Sequence, residues 1–338
     1  MSDIDAVNAG MSGLPLYREG PVLVTGGSGF IGTHLVEALI ARGVQFVNLD
    51  IRPPALAHHR QYWRQGDLMD AETVRRVLTE VQPSLIYHLA AHASIYGEAD
   101  QMQVNYVGVE NIVDVFDVMP RQPLLVHASS QVVAGPSKGT FDPLHYEPQY
   151  GVYADSKVIA ERYIQALPHR YHWVIVRPSV IWGPYHPSFP SQLWRYLRLR
   201  LYIHPRNFDV VRAYGYVGNV VHQLLRLAEL PMAEIDRKTL YVGDPPLPSM
   251  RLLDALSQAF SGKPVRRVPY WLLKAAALAG EFSKRLGGPA PINLGRLDRM
   301  TSDFPIAMEP TFALLGPPPI SIEQGVAETA RWLKSSGS

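Results

Sequence analysis

The first half of the chain alternates between short apolar runs and longer segments with helical apolar spacing. The short runs contain four or five residues and are rich in Val, Leu and Ile, which is typical of buried strands in a parallel sheet. The predicted strands are Val22–Thr25, Phe46–Asp50, Leu85–His88, Leu124–His127 and Trp173–Val176. The predicted helices are a segment after Gly32, Ala71–Val81, Asn105–Val118 and Tyr153–Leu167. This alternation predicts an α/β fold with a doubly wound parallel sheet and right-handed crossovers.

The pattern changes beyond Pro178, where prolines accumulate and short segments replace the regular alternation. We expect Val210–Leu230 and Thr239–Gly243 to return to the core sheet. Further helices are predicted over Leu252–Phe260, Pro269–Leu286 and Ile322–Leu333. The expected organisation is a core domain over 18–180, with 206–244 returning to it, and a smaller lobe formed by 181–205 and 245–335.

Composition narrows the class of protein. The 338 residues are 47% hydrophobic, so one large domain with an appendage has enough apolar surface for a core. A formal net charge of +2 with dispersed basic residues argues against a nucleic-acid partner. The absence of cysteine excludes disulfides, thiolate metal sites and cysteine catalysis. The twelve histidines form no metal signature such as His-Glu-x-x-His, so the sequence predicts no metal site.

The expected location follows from the apolar segments. Residues 1–20 have no basic, apolar leader typical of a signal peptide. The stretch Val268–Gly280 is interrupted by Lys274 and is shorter than the roughly 20 residues that cross a bilayer. We therefore expect a soluble, cytoplasmic protein without a membrane partner.

A glycine-rich turn follows the first strand directly and leads into a helical pattern, with the sequence Thr25-Gly26-Gly27-Ser28-Gly29-Phe30-Ile31-Gly32. Gly26 permits a sharp turn, Gly29 permits close approach of a pyrophosphate, and Gly32 permits the helix to pack on the strand. The helix N-terminus offers free N–H groups to an anion. Asp50 ends the second strand, eighteen residues after Gly32, where a carboxylate accepts hydrogen bonds from an adenosine ribose. Together these features predict a nicotinamide dinucleotide site rather than a simple tight turn.

A tyrosine and a lysine lie one helical turn apart in a later predicted helix. Tyr153 and Lys157 share a face of that helix. A neighbouring ammonium lowers the pKa of a phenol and prepares it for proton transfer. Upstream, Ser129 and Ser130 follow a predicted strand, at the carboxyl edge where doubly wound sheets bind ligands. The structural alternatives are a solvated helix face and a serine that caps the next element.

In this order the motifs resemble the extended short-chain dehydrogenase/reductase family, in its nucleotide-sugar epimerase/dehydratase branch. The resemblance extends from about Pro21 to Leu333. Besides the motifs above it includes Gly66-Asp67-Leu68, His88-Leu89-Ala90-Ala91, Asn105-Tyr106-Val107-Gly108-Val109-Glu110-Asn111, Arg177-Pro178, Gly183-Pro184 and Arg212-x-Tyr214-x-Tyr216-Val217. It implies that the core domain is a Rossmann domain and that the smaller lobe binds the substrate.

The resemblance also implies roles for individual residues. Tyr153 would be the general acid/base, Lys157 would hold the nicotinamide ribose, and Ser130 would orient the substrate oxygen. Asn105 resembles a family asparagine that steadies the strands beneath the nicotinamide. The implied cofactor-binding residues are Gly26, Gly29, Phe30, Ile31, Gly32, Asp50, Asp67, Leu68, Leu89, Ala90, Ala91, Asn105, Tyr153, Lys157 and Pro178. The implied substrate-binding residues are His92, Gln131, Ser179 and Arg212.

Departures from the family pattern narrow the reaction. Family 4,6-dehydratases have an Asp-Glu pair after the active-site hydroxyl residue, and this chain has Gln131 and Val132 there. Valine cannot transfer a proton, which disfavours dehydration and also the related decarboxylation. Family enzymes that epimerise carbons 3 and 5 use a cysteine, which this chain lacks. What remains is hydride transfer at one carbon, as an alcohol/ketone interconversion or a 4-epimerisation.

The substrate class stays open at this point. Arg212 matches the arginine that binds the diphosphate in sugar-nucleotide members, but Val180 replaces an asparagine that many of them have. The segment Arg177–Pro184 and the apolar Val268–Leu278 also resemble branches related to 3β-hydroxysteroid dehydrogenases and 3-oxoacid reductases. A nucleoside-diphosphate sugar, bound by an epimerase or dehydrogenase, is the first interpretation and an apolar ketone or alcohol the second. A non-catalytic dinucleotide sensor is a third.

Two further expectations concern the cofactor and the assembly. Asp50 favours NAD over NADP, because a carboxylate repels a 2′-phosphate, although Arg52 nearby would partly accommodate that phosphate. In family members, the helices corresponding to Asn105–Val118 and Tyr153–Leu167 pair across a two-fold axis. The resemblance therefore implies a homodimer.

Overall fold

The computed structural model describes residues 19–94, 97–136, 141–285, 287–288 and 292–335. The strands are β1 (Val22–Thr25), β2 (Phe46–Asp50), β3 (Trp63–Gln65), β4 (Leu85–His88), β5 (Leu124–Ala128), β6 (His172–Pro178), β7 (Val180–Trp182), β8 (Ile203–Pro205), β9 (Val211–Arg212), β10 (Tyr214–Tyr216), β11 (Lys238–Val242), β12 (Leu247–Pro248) and β13 (Arg266–Val268). The helices are α1 (Phe30–Ala41), α2 (Ala71–Val81), α3 (Val104–Val113), α4 (Val152–Gln165), α5 (Leu193–Arg198), α6 (Val217–Glu229), α7 (Met232–Ile235), α8 (Ser249–Ser261), α9 (Tyr270–Arg285), α10 (Leu294–Thr301), α11 (Glu309–Leu315) and α12 (Ile322–Ser335).

A seven-stranded sheet forms the centre of the fold, in the order β11-β6-β5-β4-β1-β2-β3. All its neighbouring strands are parallel. Because β1 lies in the middle and the chain winds outward from it in both directions, the carboxyl ends of β1, β4 and β5 are neighbours at one edge. The predicted doubly wound α/β fold is confirmed.

Helices cover both faces of this sheet because successive strand residues point to opposite sides. Val22 and Val24 of β1 face a core that includes Leu35 of α1 and Leu224 of α6. Leu23, between them, faces the opposite core, which is built largely from α2, α3 and α4. Buried residues of β1, β4 and β5 contribute to both cores, so the strand ends that carry the site are supported from both faces of the sheet.

One prediction about the sheet is wrong. Val210–Leu230 was expected to return to the core sheet, but its two strands pair elsewhere. β10 pairs with β7 in parallel, and β9 pairs with β12 in antiparallel orientation. The edge beside β6 is instead occupied by β11, which was correctly expected in the core sheet. The helical part of this segment, α6, packs on the core sheet against α1.

Other differences concern the ends of elements and the short elements. The helix predicted over Asn105–Val118 is the shorter α3, followed by a separate 3-10 turn over Phe116–Val118. Strand β3 and helices α10 and α11 were not predicted, because three to eight residues give too little periodicity to detect. Residues 1–18, which include the predicted domain start, and Leu286, the predicted end of a helix, lie outside the described residues.

Within the described ranges, none of the helices combines the length and the apolar character that crossing a membrane requires. The predicted division into a core domain and a smaller lobe stays a prediction.

Candidate active site

The glycine-rich turn between β1 and α1 has the backbone geometry that its sequence predicts. Gly26 has φ of 73°, and a Cβ atom there would lie 2.5 Å from the backbone nitrogen of Ala90. A Cβ atom on Gly32 would lie 2.2 Å from the carbonyl oxygen of Gly26. Gly29 precedes α1, where no side chain caps the helix and the first turn has no acidic residue. The N–H groups of this turn are therefore suited to bind a pyrophosphate.

Asp50 lies at the end of β2 and faces this turn. One carboxylate oxygen accepts a hydrogen bond from the backbone N–H of Ser28 at 3.0 Å, and the other accepts from that of Arg52 at 2.9 Å. A cavity of about 420 Å³ lies against the turn, and it is lined by Ser28, Gly29, Phe30, Thr33, Arg52, Pro53, Ala55, Tyr185, His186, Pro187 and Trp332. A cavity between the N-terminus of α1 and the segment that follows Asp50 suits the diphosphate and adenosine parts of a dinucleotide.

The other predicted cofactor residues lie around the same sheet edge or support it. The backbone N–H of Leu89 donates to the carbonyl oxygen of Thr25 at 3.0 Å, so the segment after β4 runs beside the glycine-rich turn. Asp67 accepts a hydrogen bond from the N–H of Met69 at 2.9 Å, which closes a local turn. Leu68 is buried in the core beneath it. The remaining predicted residues follow β4, begin α1 or end β6; they are Ala90, Ala91, Phe30, Ile31 and Pro178.

Asn105 joins the segment after β4 to α4. Its side-chain oxygen accepts from the backbone N–H of His92 at 2.8 Å, and its amide nitrogen donates to the carbonyl oxygen of the same residue at 3.2 Å. The amide also donates to the hydroxyl of Ser156 at 2.8 Å. Asn105 is 1% exposed, so these bonds form in a dry environment where they are strong. It therefore holds α4 in position, and with it Tyr153 and Lys157.

Ser130, Tyr153 and Lys157 come together where β5 ends and α4 begins. Tyr153 is hydrogen-bonded to the hydroxyl of Ser130. Burial raises the pKa of Tyr153, and the hydrogen bond with Ser130 lowers it by a smaller amount. Lys157 is fully buried, its ammonium donates to the carbonyl oxygen of Ala128 at 2.8 Å, and burial lowers its pKa to about 8. The expected lowering of the Tyr153 pKa by Lys157 stays a prediction.

The predicted substrate-binding residues lie in different parts of the structure. Gln131 begins a 3-10 turn after Ser130 and is buried, and its side-chain oxygen has no hydrogen-bond partner among the described residues. His92 contacts Asn105 through its main chain. The hydroxyl of Ser179 lies against Gly215 and Gly243, inside the packing between β10 and β11. Gln131 is thus next to the reacting groups, whereas Ser179 has a packing role here.

Arg212 contacts the end of α10. Its Nη1 atom donates to the carbonyl oxygens of Arg299 at 2.6 Å and Ser302 at 3.2 Å, and the guanidinium lies 5.6 Å from the centre of the Phe304 ring. These contacts join β9 to the end of α10. The role of Arg212 in binding a diphosphate stays a prediction.

Two buried histidines next to Lys157 were missed by sequence reasoning. His88 is the last residue of β4 and His127 is the last but one of β5; the two are paired neighbours in the sheet, with ring centres 5.1 Å apart. The Nδ1 atom of His88 lies 2.7 Å from the hydroxyl oxygen of Thr25. Burial and the charge of Lys157 lower the pKa of His88 to about 3, and burial, His88 and Lys157 lower that of His127. Both rings are therefore neutral. The sequence feature that could have revealed them is a histidine near the end of each of two predicted strands.

A buried ion pair also fixes α4. Arg177, near the end of β6, donates from Nε and Nη2 to the two carboxylate oxygens of Glu161 at 3.0 and 2.7 Å. Both side chains are fully buried. Glu161 lies one helical turn after Lys157, so this bidentate pair orients the face of α4 that carries the reacting groups.

A doubly wound sheet with a dinucleotide turn at one strand end and a buried tyrosine–lysine helix beside it defines a short-chain dehydrogenase/reductase. Over residues 22–243 the chain matches the model of the NAD dependent epimerase/dehydratase family, and it belongs to that family. Membership confirms the predicted extended short-chain dehydrogenase/reductase type, its NAD cofactor and its class as an NAD-dependent enzyme.

Curated relatives differ in their substrates. The chain is 27% identical over 227 residues to a 3-beta-hydroxysteroid dehydrogenase of Mycolicibacterium neoaurum. This alignment covers 62% of this chain and 61% of that protein. It is 32% identical over 178 residues to a 3 beta-hydroxysteroid dehydrogenase/Delta 5-->4-isomerase of Mycobacterium tuberculosis. This alignment covers 48% of each protein. It thus spans about half to three fifths of these two relatives. A 2-alkyl-3-oxoalkanoate reductase of Stenotrophomonas maltophilia is 27% identical, over 94% of this chain and 99% of that protein.

A solved structure shows the same fold. The UDP-glucose 4-epimerase of Thermus thermophilus, in complex with NAD, aligns with a TM-score of 0.69 and 23% identity. The alignment covers 94% of this chain and 99% of the other. At this level of identity the similarity establishes the fold alone.

Proposed function

We propose that the protein catalyses NAD-dependent hydride transfer at one carbinol or ketone carbon of a nucleoside-diphosphate sugar, with carbon 4 as the reacting position. The observation that carries the proposal is the buried phenol of Tyr153 beside the half-buried hydroxyl of Ser130, with the buried Lys157 one turn further along α4. A non-catalytic sensor would not need a buried phenol beside a hydroxyl.

The reacting groups have separate tasks. As the phenolate, Tyr153 would take the proton from the substrate hydroxyl, and as the phenol it would return that proton to the carbonyl oxygen in the reverse direction. Ser130 donates a hydrogen bond to the same substrate oxygen and aligns it with the phenol. Lys157, protonated below a pH of about 8, binds the ribose hydroxyls of the nicotinamide half. A bound NAD would supply the hydride-transfer chemistry beside these three side chains.

The choice of reaction rests on the residues after Ser130. Gln131 and Val132 are buried next to the reacting groups. An amide and an alkyl group do not transfer protons at neutral pH, so elimination of water lacks an acid/base pair there. This supports hydride transfer without dehydration.

This fold accommodates a sugar nucleotide, because the T. thermophilus enzyme that shares it over nearly the whole of both chains is a UDP-glucose 4-epimerase. Arg212 lies on the lobe side of the fold, and a guanidinium has five N–H donors. The contacts to Arg299 and Ser302 come from Nη1, and Nε and Nη2 carry three further donors that suit a diphosphate.

A second candidate is an apolar alcohol or ketone. Arg212 already bonds two backbone carbonyl oxygens, and β7 has Val180 where many sugar-nucleotide enzymes have an asparagine. The 2-alkyl-3-oxoalkanoate reductase of S. maltophilia matches over its whole length. In that case Arg212 has a structural role only.

A substrate panel tests the proposal. In the presence of NAD⁺, the protein is incubated separately with UDP-glucose, UDP-glucuronic acid and a 3β-hydroxysteroid. In the presence of NADH, it is incubated with a 2-alkyl-3-oxoalkanoate. NADH absorbance reports net oxidation or reduction, and proton NMR of the sugar reports epimerisation. Turnover of a UDP sugar that is lost in Tyr153→Phe supports the proposal. Turnover confined to the steroid or oxoacid favours the second candidate, and none with any substrate favours the sensor.

We also propose a homodimer and a cytoplasmic location. The dimer rests on α3 and α4, which lie side by side on one face of the sheet and expose Ile159 at 47%. Closed two-fold pairing is the commonest assembly of soluble proteins.

A further inference from the structure

Three side chains with metal-ligating atoms lie together on the outer face of the dinucleotide domain. Glu37 lies in the middle of α1, and His58 and His59 lie in a 3-10 turn over Ala57–Tyr62, between β2 and β3. The Nε2 atoms of the two histidines lie 2.8 and 2.7 Å from the same carboxylate oxygen, Oε2 of Glu37. All three ligand atoms lie within 4.8 Å of one another.

We propose that Glu37, His58 and His59 bind a divalent transition-metal ion, with Zn²⁺ as the expected ion. Two imidazole nitrogens and one carboxylate oxygen form a donor set that Zn²⁺ uses in proteins, with a water molecule in the fourth position. The sequence motifs did not predict this site, because its ligands are two adjacent histidines and a glutamate about twenty residues earlier.

The present distances are those of hydrogen bonds, and the site needs only a small expansion to accept an ion. Ligand atoms about 2.1 Å from a tetrahedral Zn²⁺ lie about 3.4 Å from one another, so the shared hydrogen bonds must lengthen by about 0.6 Å. The side chains of Glu37 and His58 are 54% and 53% exposed, which leaves them free to make this adjustment. His59 is fully buried and gives the site a fixed ligand.

The charge at the site suits a cation. The carboxylate of Glu37, which faces both imidazole rings, brings a negative charge to the site. Metal ligands must be deprotonated, and an ionised carboxylate meets that condition. The Nδ1 atom of His59 has no partner among the described residues, and a missing partner of this kind weakens metal affinity about 10–100-fold. We therefore expect a weaker site than a structural zinc centre.

The position of the site connects it to the cofactor cavity. Arg52, Pro53 and Ala55 line that cavity and belong to the segment that leads to His58. The opposite wall includes the first turn of α1, the helix that carries Glu37. An ion bound by Glu37, His58 and His59 would hold this segment against α1 and so stabilise one wall of the cavity.

Titration with the metal alone tests the proposal without reference to any substrate. Untagged protein is freed of metal with a chelator and titrated at pH 7 with ZnCl₂ by calorimetry, and with CoCl₂ by visible absorption, which reports tetrahedral coordination. We expect one ion per chain and a higher thermal midpoint with Zn²⁺. Glu37→Gln and His58→Ala should each weaken binding at least about tenfold, because even an indirect ligand partner contributes that much.

His172→Ala is the matched control, because it removes another histidine hydrogen-bonded to a carboxylate, that of Asp236 at 3.0 Å. It should bind the ion as the wild type does. Circular dichroism checks that the variants fold, which their exposed positions favour. The proposal is wrong if the wild type binds neither ion, or if both site variants bind as tightly as the wild type. It is equally wrong if the control loses binding to the same extent as the site variants.

Discussion

The ammonium of Lys157 donates a hydrogen bond to the carbonyl oxygen of Ala128, 2.8 Å away, and so joins α4 to the end of β5. Ala128 comes two residues before Ser130, and Lys157 comes one turn after Tyr153. Together with the bonds of Asn105 to Ser156 and of Arg177 to Glu161, this contact holds the helix that carries the phenol and the ammonium next to the strand end that carries the hydroxyl.

Tyr153→Phe should lower turnover about 10²–10⁴-fold, the usual contribution of a general acid/base, while NAD affinity changes little. The change removes the transferable proton and almost no volume. Steady-state kinetics and calorimetry with NAD measure the two effects. Tyr196→Phe, on the exposed surface of α5, is the control and should keep wild-type turnover. Near-normal turnover in Tyr153→Phe would place the acid/base elsewhere.

Lys157 should make the free energy of unfolding depend on pH in the alkaline range. Burial lowers its pKa from 10.5 to about 8 in the folded protein. Between these two values the unfolded chain binds the proton and the folded protein does not, so stability rises with pH in this window. Relative to Lys157→Met, the wild type should gain stability from about pH 8 to about pH 10.5. Urea unfolding of both proteins at several pH values measures this difference in stability. If the stabilities of the wild type and of Lys157→Met change with pH in parallel, the lowered pKa of Lys157 is contradicted.

Asp50 should make the protein prefer NAD to NADP. Its carboxylate is held against the glycine-rich turn by the N–H groups of Ser28 and Arg52, where a 2′-phosphate would meet a negative charge. Calorimetric titration with each cofactor gives the ratio of affinities, and Asp50→Asn should reduce that ratio. If NADP binds more tightly to the wild type, Arg52 rather than Asp50 decides the specificity.

Arg212→Ala separates the two candidate substrate classes. For a sugar nucleotide, the loss of a charged partner of the diphosphate should raise KM by an amount equal to about 2–5 kcal/mol, with NAD affinity unchanged. Arg212→Lys should recover only part of this, because an ammonium lacks the bidentate geometry. Arg195→Ala, at an exposed position on α5, is the control.

Inhibition by free nucleotides gives an independent measurement for the same question. UDP or GDP should compete with a sugar-nucleotide substrate in the wild type. An unchanged KM in Arg212→Ala, together with no inhibition by either nucleotide, would favour the apolar ketone or alcohol.

The predicted homodimer should depend on the outer face of α4. Ile159 is 47% exposed in the single chain, so a dimer through α3 and α4 would bury it. Light scattering at micromolar concentration should give twice the chain mass of 37.7 kDa, and Ile159→Glu should give a monomer. A monomeric wild type would contradict the prediction.

Local patterns in the sequence are enough to predict six of the seven strands of the central sheet, the glycine-rich turn and the candidate reacting groups. Apolar runs of four or five residues marked the strands, and a run that leads into Gly26 leaves the chain few other conformations. Tyr153 and Lys157 share a helix face through spacing alone, and parallel strands bring their carboxyl ends, including Ser130, to one edge. These features are local, or follow from strand direction, and so they are visible in the pattern of residues.

The contacts between side chains far apart in the chain depend on how the helices and strands pack on one another. Arg212 bonds carbonyl oxygens 87 and 90 residues further along the chain. Glu37 meets His58 and His59 because α1 and the turn after β2 pack on one another, which no spacing in the sequence indicates. The strands of 210–216 pair with β7 and β12 outside the core sheet, whereas β11 forms the edge of that sheet. Such contacts depend on packing between elements and on the direction of each side chain, which hydrophobic periodicity does not encode.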